Sequence, residues 1–198
     1  MSSPLPTALS PTTSSAKHKV AYTRFLIEPL ADTPSGSQRE RERALAYSLL
    51  CRLLDGETPQ LEHNEKGAPY LPAHPELSVS ISHCRAAVAV AVSPEGRVGI
   101  DVECRRRIGD GLMERVCTPD EQAAVQASPD PTMAFLRLWT RKEAVLKLRG
   151  TGIQGFSSMR NALLAKDCVV NDLECTLPDV VASMAWFRDA EWSGNRRD

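Results

Sequence analysis

The chain has 198 residues, of which 24 are basic and 25 acidic, so its formal net charge at pH 7 is −1. This balance excludes a general electrostatic attraction to nucleic acid or to anionic membranes, and any anion site must be local. The length suits one compact domain or two small packed halves, and every apolar run is far shorter than the ~20 residues that cross a bilayer. We expect neither nucleic acid nor a membrane as a partner.

The first and last residues differ in composition from the rest. Residues 1–18 are rich in Ser, Pro and Thr and lack the basic and then apolar order of a secretion signal, so we predict a disordered leader. Residues 191–198 form a polar tail. The six cysteines include no Cys-x-x-Cys pair, which favours reduced thiols in a cytoplasmic protein over a structural zinc site.

The N-terminal half, residues 19–96, combines strands with one helix. Residues 20–27 are rich in β-favouring side chains and predict a strand. Leucines recur at helical spacing over residues 38–54, and an Asp-Gly pair ends that helix. After a Gly- and Pro-rich surface loop, residues 77–81 and 86–92 predict two more strands.

The C-terminal half, residues 97–190, follows a similar order. Residues 98–103 alternate between apolar and polar positions and predict a half-buried strand, and Thr118 has the capping-box pattern of a helix start. Residues 133–148 are the clearest helix, and two strand candidates, 172–177 and 180–187, follow. No sequence repeat is visible, yet the order of elements predicts two α+β halves joined near residues 93–97.

Two carboxylates on the predicted strand 98–103 point the same way. A period of two sends Asp101 and Glu103 to the side opposite Val98, Ile100 and Val102. Ordinary surface acids on an exposed strand are the simpler interpretation. Adjacent oxygen ligands on a rigid strand also suit a hard cation such as Mg²⁺.

Three further positions could bind or transform an anionic ligand. Glu143 and Lys147 lie one helical turn apart on the same side, where they form either a surface ion pair or a catalytic carboxylate beside a phosphate-binding cation. His83 follows a predicted strand, where it can reach a ligand or make only a local hydrogen bond. Arg43 is one of several arginines on the first helix and could bind a phosphate bidentately or be solvated.

Four segments together resemble the 4′-phosphopantetheinyl transferase superfamily, in particular its long, Sfp-type branch with two pseudo-symmetric α/β halves. They are Lys66-Gly67-Ala68-Pro69-Tyr70-Leu71, Ser80-Ile81-Ser82-His83, Val98-Gly99-Ile100-Asp101-Val102-Glu103, and Trp139-Thr140-Arg141-Lys142-Glu143-Ala144 running on to Lys147 and Gly150. The last two are the specific ones. The segments span about half of the chain and imply an α+β fold.

The resemblance implies a role for each matching residue. Asp101, Glu103 and Glu143 would hold Mg²⁺ against the pyrophosphate of coenzyme A, and Glu143 would also act as the base. Lys147 and His83 would contact phosphates, and Arg43 the 3′-phosphate. The remaining coenzyme A contacts, on the adenosine side, would be Gly67, Pro69 and Ser82. The family usually has a lysine at the position of Ala68, and Lys66 is the candidate to replace it.

The activity that the resemblance implies is transfer of 4′-phosphopantetheine from coenzyme A to a serine of an acyl or peptidyl carrier protein. It implies a monomer, since shorter relatives assemble the same site between subunits, and leaves open which biosynthetic pathway the carrier serves. A basic patch near residues 105–107 is our candidate for the contact with an acidic carrier. Two alternatives remain: another Mg²⁺-dependent phosphoryl transferase or hydrolase, and a catalytically silent module that binds coenzyme A or carriers.

Overall fold

A computed structural model describes residues 23–31, 36–151 and 156–188, so the predicted leader and tail lie outside the described residues. The chain forms a mixed α+β structure, as the sequence predicts. Its elements are β1 (Arg24–Pro29), α1 (Gln38–Leu53), β2 (Glu62–His63), β3 (Pro69–Tyr70), β4 (Ser78–Cys84), β5 (Ala87–Ser93), β6 (Val98–Cys104), α2 (Leu112–Val116), α3 (Pro119–Gln126), α4 (Pro131–Arg149), α5 (Phe156–Asn161), β7 (Cys168–Leu173) and β8 (Val180–Phe187).

The strands form two three-stranded antiparallel sheets and one two-stranded hairpin. The first sheet has the order β1-β5-β4, the second has the order β6-β8-β7, and β2 pairs with β3. In each three-stranded sheet the last strand along the chain lies between the other two. Within the described residues no helix is both long and apolar enough to span a membrane.

Alternation along the strands divides the interior into three layers of side chains. On β5, Val88, Val90 and Val92 pack against α1, whereas the alanines between them face the second sheet. The apolar side of β6 meets those alanines, and α4 covers the opposite side of the second sheet. The layers therefore run in the order α1, first sheet, second sheet, α4, which explains why β5 is buried throughout.

The two sheets are joined by serine side chains of β4. Three hydroxyl groups accept hydrogen bonds from backbone N–H groups of β6, and each pair is 20 residues apart in sequence. The pairs are Ser78 with Val98 (3.2 Å), Ser80 with Ile100 (3.0 Å) and Ser82 with Val102 (3.3 Å). These bonds satisfy buried N–H groups that no neighbouring strand reaches, and they fix β6 against β4.

Helix α4 lies unusually close to β6 because Gly99 carries no side chain. A Cβ at position 99 would overlap the carbonyl oxygen of Ala144 and approach the backbone nitrogen of Leu148 to 2.6 Å. The helix begins with Asp130, whose side chain accepts from the Met133 N–H, and it ends at Gly150 in a left-handed conformation (φ 65°). The close approach brings the polar residues of α4 to those of β6.

The structure differs from the sequence prediction at several element boundaries. β4 continues to Cys84, so His83 lies inside a strand and pairs with Val88 instead of following the strand. The strand predicted at 172–177 is β7 at Cys168–Leu173, because pairing with β8 sets its register from Cys168 opposite Phe187. The short helices α2 and α5 and the hairpin β2-β3 were not predicted, since elements this short have no readable period.

Candidate active site

A buried polar cluster forms where β4, β6 and α4 meet. Asp101 on β6 is 5% exposed, and its Oδ1 accepts hydrogen bonds from Lys147 Nζ (2.8 Å) and from the Ser82 hydroxyl (2.7 Å). Its other carboxylate oxygen, Oδ2, is buried and has no hydrogen-bond partner within the described part of the chain. A buried carboxylate oxygen without a donor fits a cation, because burial of an unpaired charge is costly.

Lys147 fixes the last turn of α4 to both sheets. Its ammonium also donates to the backbone carbonyls of Ile100 (3.0 Å) and Ile81 (3.4 Å), so all three of its hydrogens are engaged. The side chain is 28% exposed. Lys147 is therefore a fixed positive charge beside Asp101 whose side chain is partly exposed.

Glu143 is a buried carboxylate on the same side of α4. It is 8% exposed, and no hydrogen bond or ion pair joins its carboxylate to another described residue. Burial raises the pKa of Glu143 to about 7; the negative charges of Asp101 and Glu103 add to the rise, and Lys147 opposes it. A carboxyl group with this pKa exchanges its proton near neutral pH, and a cation beside it would stabilise its charged form.

Lys142, the residue before Glu143, has a structural position. Its side chain is 0% exposed, and its ammonium donates to Glu121 Oε2 (2.7 Å), to the Val116 carbonyl (2.8 Å) and to the Arg160 carbonyl (2.9 Å). It thereby connects α4 to α2, α3 and α5. Because one helical residue turns by about 100°, Lys142 and Glu143 project in different directions and have different environments.

Glu103 faces the same side of β6 as Asp101, as predicted, but it is held by an arginine. Arg106 donates from Nε to Glu103 Oε2 (3.2 Å) and from Nη2 to Oε1 (3.1 Å), and its guanidinium lies 5.9 Å from the ring centroid of Trp139. As the side chains stand, no group of three or more Asp, Glu, His or Cys residues among those described is arranged to hold a metal ion. The Glu103 carboxylate is therefore held by Arg106.

His83 lies beside α1. Its Nδ1 is 3.3 Å from Glu42 Oε2, and Gln38 donates to the other oxygen of Glu42 at 2.7 Å. The His83 side chain is 57% exposed, whereas Glu42 is buried. Glu42 was not predicted from the sequence. It lies on the buried side of α1 with Ala46 and the leucines, and a charged residue among those apolar positions was the signal that could have indicated it.

The other residues predicted to bind coenzyme A lie on the surface. Arg43 is exposed on α1, and Lys66 and Gly67 form the tight turn between β2 and β3, where Gly67 has φ 78° and Asn64 accepts from the Lys66 N–H. Pro69 begins β3. Across the described ranges no hydrogen bond or ion pair joins these residues to the Asp101 cluster.

The basic segment at residues 105–107 is largely neutralised, which corrects the expectation of an open basic patch. Arg105 pairs with both Asp130 and Asp179, and Arg106 pairs with Glu103. Arg107 is 86% exposed and lies 3.8 Å from Asp110. The sequence could not reveal these partners because Asp130 and Asp179 are distant along the chain.

The cluster lies in the part of the chain that resembles known enzymes. Residues 97–180, which include Asp101, Glu103, Glu143 and Lys147, match the sequence model of the 4′-phosphopantetheinyl transferase superfamily. The chain is 32% identical over 152 residues to the 4′-phosphopantetheinyl transferase AcpT of Salmonella typhimurium, a match that covers 73% of this chain and 78% of the relative.

The chain is also 35% identical over 91 residues to the 4′-phosphopantetheinyl transferase of Bacillus subtilis, covering 45% of this chain and 40% of the relative. With the holo-[acyl-carrier-protein] synthase of a Jannaschia species it shares 34% identity over 83 residues, which covers 42% of this chain and 51% of that protein. The chain therefore belongs to the 4′-phosphopantetheinyl transferase superfamily.

Proposed function

We propose that this protein transfers 4′-phosphopantetheine from coenzyme A to a serine hydroxyl of an acyl or peptidyl carrier protein and releases adenosine 3′,5′-bisphosphate. One observation carries the proposal: Asp101, Glu143 and Lys147 meet in one buried cluster with an unpartnered carboxylate oxygen, inside the segment that matches the family. The cluster combines a carboxylate that can take a proton with a fixed cation, as a reaction on a pyrophosphate requires.

Magnesium is the cofactor that this cluster would bind. Asp101 Oδ2, which has no hydrogen-bond partner among the described residues, and the Glu143 carboxylate, whose pKa is raised in part by Asp101, would be two of its ligands. Glu103 would complete the set after leaving Arg106. Carboxylates together with phosphate oxygens and waters are the ligands that Mg²⁺ prefers. When bound, Mg²⁺ supplies Lewis-acid stabilisation of the negative charge that develops on the phosphates.

The chain's own residues would handle the proton and part of the charge. Glu143, directly or through a bound water, would take the proton of the carrier serine as the serine oxygen bonds to the β-phosphorus of coenzyme A. The bond from that phosphorus to the oxygen bridging to the α-phosphate breaks, and adenosine 3′,5′-bisphosphate leaves with the electron pair. Lys147 would offset part of the charge on the departing phosphate, because it is a fixed cation with a partly exposed side chain beside Asp101.

Coenzyme A would extend from this cluster toward α1 and the β2-β3 hairpin. His83 is exposed and is tied through Glu42 to α1, the helix that also carries Arg43, so both side chains could meet the 3′-phosphate. Lys66, Gly67 and Pro69 would line the adenosine side from the hairpin.

We further propose that the two halves, residues 19–96 and 97–190, are pseudo-symmetric, which would make the chain a monomeric member of the Sfp-type branch. The support is the shared order of strands, in which each three-stranded sheet has its last strand in the middle. A cytoplasmic location agrees with six free cysteines, all of which lie in the described residues.

The test is intact mass spectrometry of an apo carrier protein incubated with this protein, coenzyme A and Mg²⁺. We expect the carrier to gain the mass of one phosphopantetheine, and EDTA or a carrier whose acceptor serine is replaced by alanine should abolish the gain. Consumption of coenzyme A without a carrier would favour a hydrolase. Coenzyme A binding without transfer to any of several fatty acid, polyketide and peptide carriers would favour a silent binding module.

A further inference from the structure

Ser82 differs from the other serines that join the two sheets because its hydroxyl also contacts a carboxylate. It accepts a hydrogen bond from the Val102 N–H (3.3 Å) and lies 2.7 Å from Asp101 Oδ1. The Val102 N–H can only donate, so the single hydroxyl proton of Ser82 is free to point at Asp101. The residue is 6% exposed, so both hydrogen bonds lie in the protein interior.

Both donors to Asp101 use the same carboxylate oxygen. Ser82 from β4 and Lys147 from α4 donate to Oδ1, and Oδ2 receives no hydrogen bond from any described residue. Rotation of the carboxylate by about a quarter turn would break two charge-assisted hydrogen bonds, so the pair of donors fixes the plane of the carboxylate. Oδ2 is thereby kept free of protein donors and available to a cation.

We infer that Ser82 is a positioning residue that orients Asp101 so that Oδ2 binds the divalent cation, an inference that rests on the proposed function. The resemblance to the family assigned Ser82 to the adenosine side of coenzyme A. The geometry assigns it to Asp101 instead, because the side chain is buried and its hydroxyl is engaged on both sides. Residues that orient a metal ligand in this way change metal affinity without touching the metal.

Ser80 provides a matched control two residues away on the same strand. Its hydroxyl accepts from the Ile100 N–H at 3.0 Å, and it is 5% exposed, so it has the same burial and the same role in joining the sheets. Among the described residues, no hydrogen bond joins the Ser80 hydroxyl to a carboxylate. Ser80→Ala therefore removes the sheet-joining bond alone, whereas Ser82→Ala removes that bond and the one to Asp101.

The experiment measures binding of Mn²⁺, as a stand-in for Mg²⁺, by loss of the free-ion electron paramagnetic resonance signal in the presence of coenzyme A. We expect Ser80→Ala and Ser82→Ala to unfold at similarly reduced urea concentrations, while only Ser82→Ala weakens Mn²⁺ binding, by about tenfold or more. Ser82→Cys keeps the volume and has only a weak S–H donor, so it provides the same comparison if Ser82→Ala is too unstable.

Equal Mn²⁺ affinity for Ser82→Ala and wild type would overturn the inference, and so would equal weakening in both alanine variants. In either case a wild-type protein that still modifies its carrier leaves the proposed function intact. If the wild-type protein neither binds Mn²⁺ with coenzyme A nor modifies any carrier, the inference and the proposed function both fail.

Discussion

Replacement of Glu143 by glutamine should have opposite effects on stability and on activity. The wild-type carboxyl is buried, and its pKa is raised from 4.5 to about 7, which corresponds to about 3 kcal/mol. A carboxyl with a raised folded-state pKa contributes stability that is fully present below the unfolded value, and this contribution is lost as pH rises through 7. Glutamine has a similar shape and no charge, so Glu143→Gln avoids that loss.

We expect metal-free Glu143→Gln to gain stability over metal-free wild type by about 2 kcal/mol as pH rises from about 5.5 to 8. The assay is urea unfolding in EDTA at several pH values. Glu174→Gln is the matched control, because it makes the same change at an exposed position outside the cluster. A stability difference between Glu143→Gln and wild type that stays constant from about pH 5.5 to 8 would refute the argument that the site holds an unfavourably buried carboxylate.

The same variant should lose activity because it cannot accept a proton. We expect carrier modification by Glu143→Gln to be slower by about 100-fold or more at pH 7. The more stable protein would then be the less active one, which a simple folding defect cannot produce. Wild-type turnover in this variant would remove Glu143 from the role of base.

Three further substitutions test how the cluster is assembled. Gly99→Ala should lower the free energy of unfolding by about 2 kcal/mol or more and slow carrier modification, because the added Cβ would push α4 away from β6. The control in urea unfolding is Gly109→Ala, since a Cβ at position 109 has no atom within 4 Å. Lys142→Met should lower the free energy of unfolding by about 3 kcal/mol in the same assay, because it leaves the Val116 and Arg160 carbonyls without this donor and removes the buried cation that pairs with Glu121. An unchanged urea midpoint would contradict this role. Arg106→Gln should lower the Mg²⁺ concentration needed for half-maximal carrier modification, because it frees the Glu103 carboxylate from its hydrogen bonds with Arg106. An unchanged Mg²⁺ dependence would mean that Glu103 does not bind the metal.

The pieces of the site could be predicted because each depends on a local period. Alternation on β6 correctly predicted that Asp101 and Glu103 share a side, and the spacing of four on α4 correctly predicted that Glu143 and Lys147 do. The Thr118 capping box is confirmed for the same reason, since its contacts span three residues. The bounds of β7 were wrong because its register depends on β8 rather than on its own residues.

The contacts that give the site its chemistry could not be predicted from any local pattern. Ser82 meets Asp101 only because β4 and β6 lie side by side. The contact between Glu42 and His83 could not be predicted because the two residues belong to different elements. In each pair the two side chains come from different elements, so only the packing of those elements sets the distance between them.

The sequence by itself determined the α+β class, the main elements and the side of each element that carries polar groups, because these follow from periods of two and 3.6 residues. The tertiary structure alone decided which of the polar side chains touch. Packing of α4 against Gly99 and the serine bonds between β4 and β6 bring Asp101, Glu143 and Lys147 together. Burial then raises the Glu143 pKa and leaves Asp101 Oδ2 unpartnered, because the low-dielectric interior exists only after the layers have packed.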